Sequence, residues 1–162
     1  ELAISSEQME DLDLKPIIES VVDDFNNIYV EKKNINIKLN TSGSKKYIIK
    51  GISNRVEQII ANLLDNAVSF SKKKSIISVD LNENESHTIL KVSDEGEGFK
   101  ESDIKKVFDR FYSNRPENFG EHSGLGLNIV KNLVQIHKGE IHASNSPKGG
   151  AMIEIKFPRN YN

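Results

Sequence analysis

Asn62, Asn66 and Ser69 are the first side chains in this sequence that need a chemical explanation. They recur at spacings of four and three, so at ~100° per residue they line one stripe of a helix. An apolar stripe of Val56, Ile60, Leu63, Ala67 and Phe70 runs roughly 120° round from it. Asn is a mediocre helix former. Two of them one turn apart, beside a core-facing stripe, have two explanations. One is a solvated face that tolerates polar residues. The other is a pair of amides aimed into a ligand site, where a neutral, hard amide oxygen suits Mg²⁺ already partly coordinated by phosphates.

Asp94 is the next candidate. Leu90, Val92 and Asp94 share a parity on a strand-like run, so the carboxylate follows the core face. An unpaired charge there is costly. A capping Asp in a surface loop is the alternative. The glycines at 96 and 98 favour a ligand, because glycine lets backbone approach one closely. Downstream, Phe108-Asp-Arg-Phe-Tyr112 follows a short helical run, Gly124-Leu-Gly-Leu127 opens a helix, and Lys148-Gly-Gly150 lies between two late strands.

Holding these residues in place takes a folded domain, and 162 residues are enough for one. The hydrophobic share of 36% supports a two-layer core. A net charge of −2 argues against a nucleic-acid surface. With no cysteine there is no disulfide framework and no thiolate chemistry. No apolar run approaches the ~20 residues of a membrane span, and no signal peptide is present. The chain begins at Glu1 rather than Met, so it is expected to be a fragment whose membrane anchor lies elsewhere.

Residues 1–13 are polar and acidic, as in a linker or the tail of a preceding helix, and residues 14–162 form the domain. Asp13 and Pro16 start a helix that runs to about Lys33. Alternation predicts strands at Ile35 to Leu39, Tyr47 to Lys50, Ile76 to Leu81, Thr88 to Ser93, Ile141 to Ser144 and Met152 to Phe157. Ser53 is expected to cap the central helix, which runs to about Ser71. Glu101 to Phe108 reads as a short helix, and Leu125 to His137 as a longer one ended by Gly139. The polar stretch from Ser113 to Ser123 has no period, which inside a domain reads as a lid or disorder.

Each of these short motifs is unspecific alone. In this order and spacing they resemble the N, G1, F and G2 boxes and the late glycine turn of the catalytic, ATP-binding domain of histidine kinases. That domain belongs to the GHKL ATPases, with gyrase B, Hsp90 and MutL, and the resemblance covers about residues 50 to 158. It implies a two-layer α/β sandwich, the Bergerat fold. About five strands form a mixed, mostly antiparallel sheet with three main helices on one face. It implies ATP and Mg²⁺ as ligands. Asp94 would accept the adenine N6 hydrogen bond, Gly96 and Gly98 would lie against the base, and Phe70, Phe99 and Tyr112 would form apolar walls. Asn66 matches the Mg²⁺-coordinating Asn and Asn62 the Asn near the phosphates. Ser123, Gly124, Leu125, Gly126 and Leu127 match the phosphate-binding box at a helix N-terminus. Phe108 and Phe111 match the F box at the base of the lid.

Three positions depart from the pattern: Ser69 replaces a Lys, Glu95 an Asn and His122 a Gly. Arg115 in the lid, or Arg110, is a candidate for the missing charge. The lid run from Phe111 to Gly120 resembles the ChvG type of sensor kinase. Hydrolytic relatives carry Glu where this chain has Asn62, and an amide cannot serve as a general base. Phosphoryl transfer to a His is therefore implied. His87, His122, His137 and His142 all lack the His-Glu/Asp context of an acceptor, which would lie before Glu1. The implied partners are a dimerisation domain bearing that His and a response regulator, within a homodimeric inner-membrane parent. This domain would be cytoplasmic, with no nucleic-acid or membrane contact of its own. An anti-sigma-type serine kinase and a degenerate nucleotide-binding module are the alternatives.

Overall fold

Asp13 starts the first helix, as its residue type predicts. Its Oδ1 accepts from the Lys15 N–H at 3.1 Å, capping α1, Leu14–Lys33. The same oxygen accepts from the Tyr47 N–H at 3.1 Å, which ties the helix start to distant chain. The computed structural model describes residues 8–42, 46–100, 104, 106–109 and 126–159. Arg110, Phe111, Tyr112, Arg115, His122, Ser123, Gly124, Leu125 and the expected lid lie outside them, as does half of the helical run expected over 101–108.

The remaining elements are β1 (Glu10–Asp13), β2 (Asn36–Thr41), β3 (Ile48–Gly51), α2 (Ser53–Phe70), β4 (Ile76–Glu83), β5 (His87–Ser93), α3 (Gly126–Ile136), β6 (Glu140–Asn145) and β7 (Ala151–Pro158). Five strands form a mixed sheet in the order β2-β4-β5-β7-β6. Only β2 and β4 pair in parallel. Among the described residues three helices complete the expected α/β sandwich. One face of the sheet is sealed: Ile77, Val79, Leu81, Leu90, Val92, Ile153, Ile155 and Phe157 are all buried. The alternate residues face outward, and most of them are polar or charged. Asn40, Asp80, Lys91, Glu154 and His142 stand opposite one another in a single row across all five strands.

Residues 10–13, part of the stretch read as a linker, instead pair with β3 in a separate two-stranded antiparallel sheet. Four residues are too few to show a period, and Leu12 is the only one of the four that is buried. The exposed edge of the main sheet is closed by a side chain. Asn26 of α1 accepts from the Ile37 N–H at 2.9 Å and donates to its carbonyl at 3.0 Å. This copies a strand's pairing and blunts an edge that would otherwise template aggregation.

Candidate nucleotide site

The central helix α2 buries more than the predicted stripe. Val56, Ile59, Ile60, Leu63, Leu64, Ala67 and Val68 are all buried, and each larger side chain contributes roughly 1.5–3 kcal/mol on burial. Phe70 is half-buried. Asn62, Asn66 and Ser69 are half-buried on the neighbouring stripe, as their spacing predicts. The Ser69 hydroxyl donates to the Asp65 carbonyl one turn back, at 2.8 Å.

The start of α2 differs from the sequence-based expectation. Ser53 is the first helical residue, and the cap is Ile52, which has no side-chain bond to give. Its backbone is held from across the fold. The Ile52 N–H donates to His137 Nε2 at 3.1 Å, while the Ile52 carbonyl accepts from Arg55 and Val56, each at 3.0 Å. The other ring nitrogen of His137, Nδ1, donates to the Leu133 carbonyl at 2.8 Å. One nitrogen accepts and the other donates, so the partners assign the neutral Nδ1–H tautomer. His137 is fully buried, edge-on to Phe157 at 6.3 Å. Burial lowers its pKa, against the opposing pull of the Leu133 bond. The histidine expected to be non-catalytic at a helix end is the joint between α3 and the start of α2.

Asp94 leaves the end of β5 on the core side, as the parity predicts, and is 6% exposed. Its Oδ1 accepts from the Gly96 N–H at 2.9 Å and from the Ala151 N–H at 3.1 Å. The Asp94 N–H donates to the Ala151 carbonyl at 3.0 Å. Three bonds therefore fix where the carboxylate stands.

Gly96 places this loop against α2. A Cβ there would stand 2.3 Å from the Phe70 carbonyl oxygen, at the last residue of the helix. The loop thus abuts the end of α2 one turn beyond Asn66. Gly98 takes φ +82°, and a Cβ on it would meet the Asn145 side-chain oxygen and the Gly149 carbonyl, both at 2.7 Å. Phe99, just after it, is buried.

Glu95 points elsewhere. Its Oε1 accepts from the Ile76 N–H at 2.9 Å, closing the start of β4. The departure from Asn at this position has a structural use. A cavity of about 480 Å³ opens on the outward side of the sheet beside Glu95, Ser78 and Ser93. At the start of α3, Leu127 is buried, and a Cβ on Gly126 would meet no described atom beyond its own chain neighbours and helix backbone within 4 Å. Asn128 Nδ2 donates to the Phe108 carbonyl at 3.0 Å, fastening α3 to the F-box Phe. Lys138, at φ 61°, is the left-handed residue after α3. Gly139 follows where a Cβ would stand 2.8 Å from the Lys156 carbonyl. Among the described residues no group of three or more His, Cys, Asp or Glu could hold a metal.

Residues 51–161, most of the chain, match the histidine kinase-, DNA gyrase B- and HSP90-like ATPase family. The chain belongs to this ATPase family. Among relatives, the sensor protein ChvG of Agrobacterium fabrum is 36% identical over 141 residues, covering 83% of this chain and 24% of ChvG. The chain therefore spans about a quarter of that relative's length. The mycobacterial sensor histidine kinase MprB superposes with a TM-score of 0.79 at 25% identity, covering 94% of this chain and 99% of the other. The histidine kinase ThkA, solved in complex with the response regulator protein TrrA, shares the fold. Its TM-score is 0.78 at 20% identity, covering 94% of this ATPase domain and 42% of the ThkA chain. No helix among the described residues is long and apolar enough to cross a membrane.

Proposed function

We propose that this chain is the catalytic domain of a sensor histidine kinase, which binds Mg·ATP and presents its γ-phosphate to a histidine on a separate dimerisation domain. The observation that carries this is the placement of Asp94. A buried carboxylate, oriented by backbone donors, stands at the end of a core strand in a loop that abuts the helix bearing Asn62 and Asn66. Such an acceptor suits the exocyclic amine of adenine. Phe70 and Phe99 supply apolar walls, and the resemblance adds Phe111 and Tyr112. Gly96 and Gly98 keep the loop close.

The donor set fits a metal held mainly by the nucleotide. No carboxylate or histidine cluster offers a cage among the described residues, so Asn66 would contribute a neutral amide oxygen. Held there, Mg²⁺ would supply neutralisation of the phosphate charge. Asn62 lies one turn earlier on the same face and orients the phosphates. Being an amide, it cannot take a proton from water, so the chain holds ATP for transfer rather than hydrolysis. Arg115 and the amides from Ser123 to Leu127 complete the phosphate contacts by resemblance. The partners are the histidine-bearing domain and a response regulator, within a membrane-anchored homodimer.

Labelled ATP tests this. With a histidine-bearing dimerisation domain supplied separately, label should appear on that domain as acid-labile, base-stable phosphohistidine, and none on this chain. Rapid hydrolysis near the enzyme median of ~10 s⁻¹, with no transfer, would contradict it.

A further inference from the structure

Asn145 holds the backbone of Phe99 at both of its polar groups. Its Nδ2 donates to the Phe99 carbonyl at 2.8 Å, and its Oδ1 accepts from the Phe99 N–H at 2.6 Å. This is the pairing a neighbouring strand would make, supplied by one side chain. Asn145 is the last residue of β6 and stands opposite Ala151 of β7. Ala151 exchanges two bonds with Asp94, donating to its Oδ1 and accepting from its N–H. The loop from Asp94 to Phe99 is therefore fastened at both ends to one place in the sheet. Asp94 is tied to Ala151 directly, and Phe99 is tied to the residue paired with Ala151.

The surrounding geometry leaves the loop one seat. A Cβ on Gly98 would meet the Asn145 oxygen at 2.7 Å. A Cβ on Gly150 would stand 1.8 Å from the Asp94 carbonyl, so the turn after β6 packs directly beneath the loop. With Asn145 removed, Phe99 loses these two backbone bonds while Asp94 keeps its bonds to Ala151. The near end of the loop stays fixed and the far end loses its tie to the end of β6.

We propose that Asn145 is a positioning residue for recognition of the nucleotide base, acting through the Phe99 backbone to hold the Asp94 loop in register. This rests on the reading of Asp94 as the adenine acceptor. Base discrimination separates a positioning role from a merely structural one. Inosine triphosphate carries a carbonyl where ATP carries the amine, so its 6-position cannot donate to Asp94 as the adenine amine would. Calorimetry with Mg²⁺ measures both nucleotides on the wild-type chain, Asn145→Ala and Asn145→Asp. Asn145→Asp keeps the acceptor for the Phe99 N–H but sets an oxygen against the Phe99 carbonyl. It is also the variant to use if Asn145→Ala does not fold.

Both variants should weaken ATP binding about three- to tenfold, with less effect on inosine triphosphate, so that the preference for ATP shrinks. Unchanged ATP affinity, or equal losses for both nucleotides, overturns the positioning role alone. A wild-type chain that binds neither nucleotide, or binds both equally, overturns the adenine reading and this proposal with it.

Discussion

Replacing His137 with Phe tests how the two helices of the site are joined. Phe keeps the buried ring and its edge contact with Phe157. It removes the acceptor for the Ile52 N–H, at a residue only 6% exposed. A buried donor left unpaired costs about 1–3 kcal/mol, so at pH 7.5 the variant should be less stable by that amount. Acidification should narrow the gap. Burial holds the folded-state pKa of His137 below the ordinary 6.5. As pH falls below 6.5, the unfolded wild-type chain takes a proton that the folded chain refuses. Its stability therefore falls, until the folded pKa is reached. The limiting slope is about 1.4 kcal/mol per pH unit. The Phe variant has no such group, so between pH 7.5 and 5.5 the difference should shrink by up to about 1.4 kcal/mol. Urea denaturation at both pH values, with slopes compared to confirm two-state unfolding, measures it. A gap that stays constant or widens on acidification would mean that folded His137 takes up a proton at least as readily as the unfolded chain does, and burial would not be holding the ring neutral.

Further predictions concern the other joints. Gly96→Ala puts a methyl group 2.3 Å from the Phe70 carbonyl. It should cost about 1–3 kcal/mol, lowering Tm by roughly 2–4 °C per kcal/mol, and it should weaken ATP binding because the loop must leave α2. Thermal unfolding and calorimetry on one sample check both effects, and an unchanged Tm would refute the close packing. Asp13→Ala removes the acceptor for Lys15 and Tyr47, and should cost about 1–2 kcal/mol without changing ATP affinity. Asn66→Ala should weaken ATP binding more in the presence of Mg²⁺ than in its absence. Equal losses would remove Asn66 from the metal.

The helices and strands were legible because each has a face to bury. Val56, Ile60, Leu63 and Ala67 repeat with the helical period and are all buried. Leu90, Val92 and Asp94 repeat with the strand period, which places the carboxylate on the core side, where it is buried. What stayed hidden was pairing at long separation. His137 meets Ile52 from 85 residues away and Asn145 meets Phe99 from 46. Neither residue type announces its partner, because an Asn at a strand end and a His at a helix end usually face water. The cap of α2 was misplaced for the same reason. Ser53 has the right side chain, but a distant imidazole already satisfies the backbone there. Glu95 is similar: as a motif position it was only a departure, and its bond to Ile76 shows what it does. β1 is too short to show a period at all.

Calorimetric titration of Mg·ATP into the wild-type chain and Asp94→Ala tests the central claim most directly. The wild type should bind in the micromolar to millimolar range typical of enzyme KM values. Asp94→Ala should lose that binding while circular dichroism shows the same fold. ATP affinity undiminished in a folded Asp94→Ala variant would contradict the assignment of this loop as the adenine site.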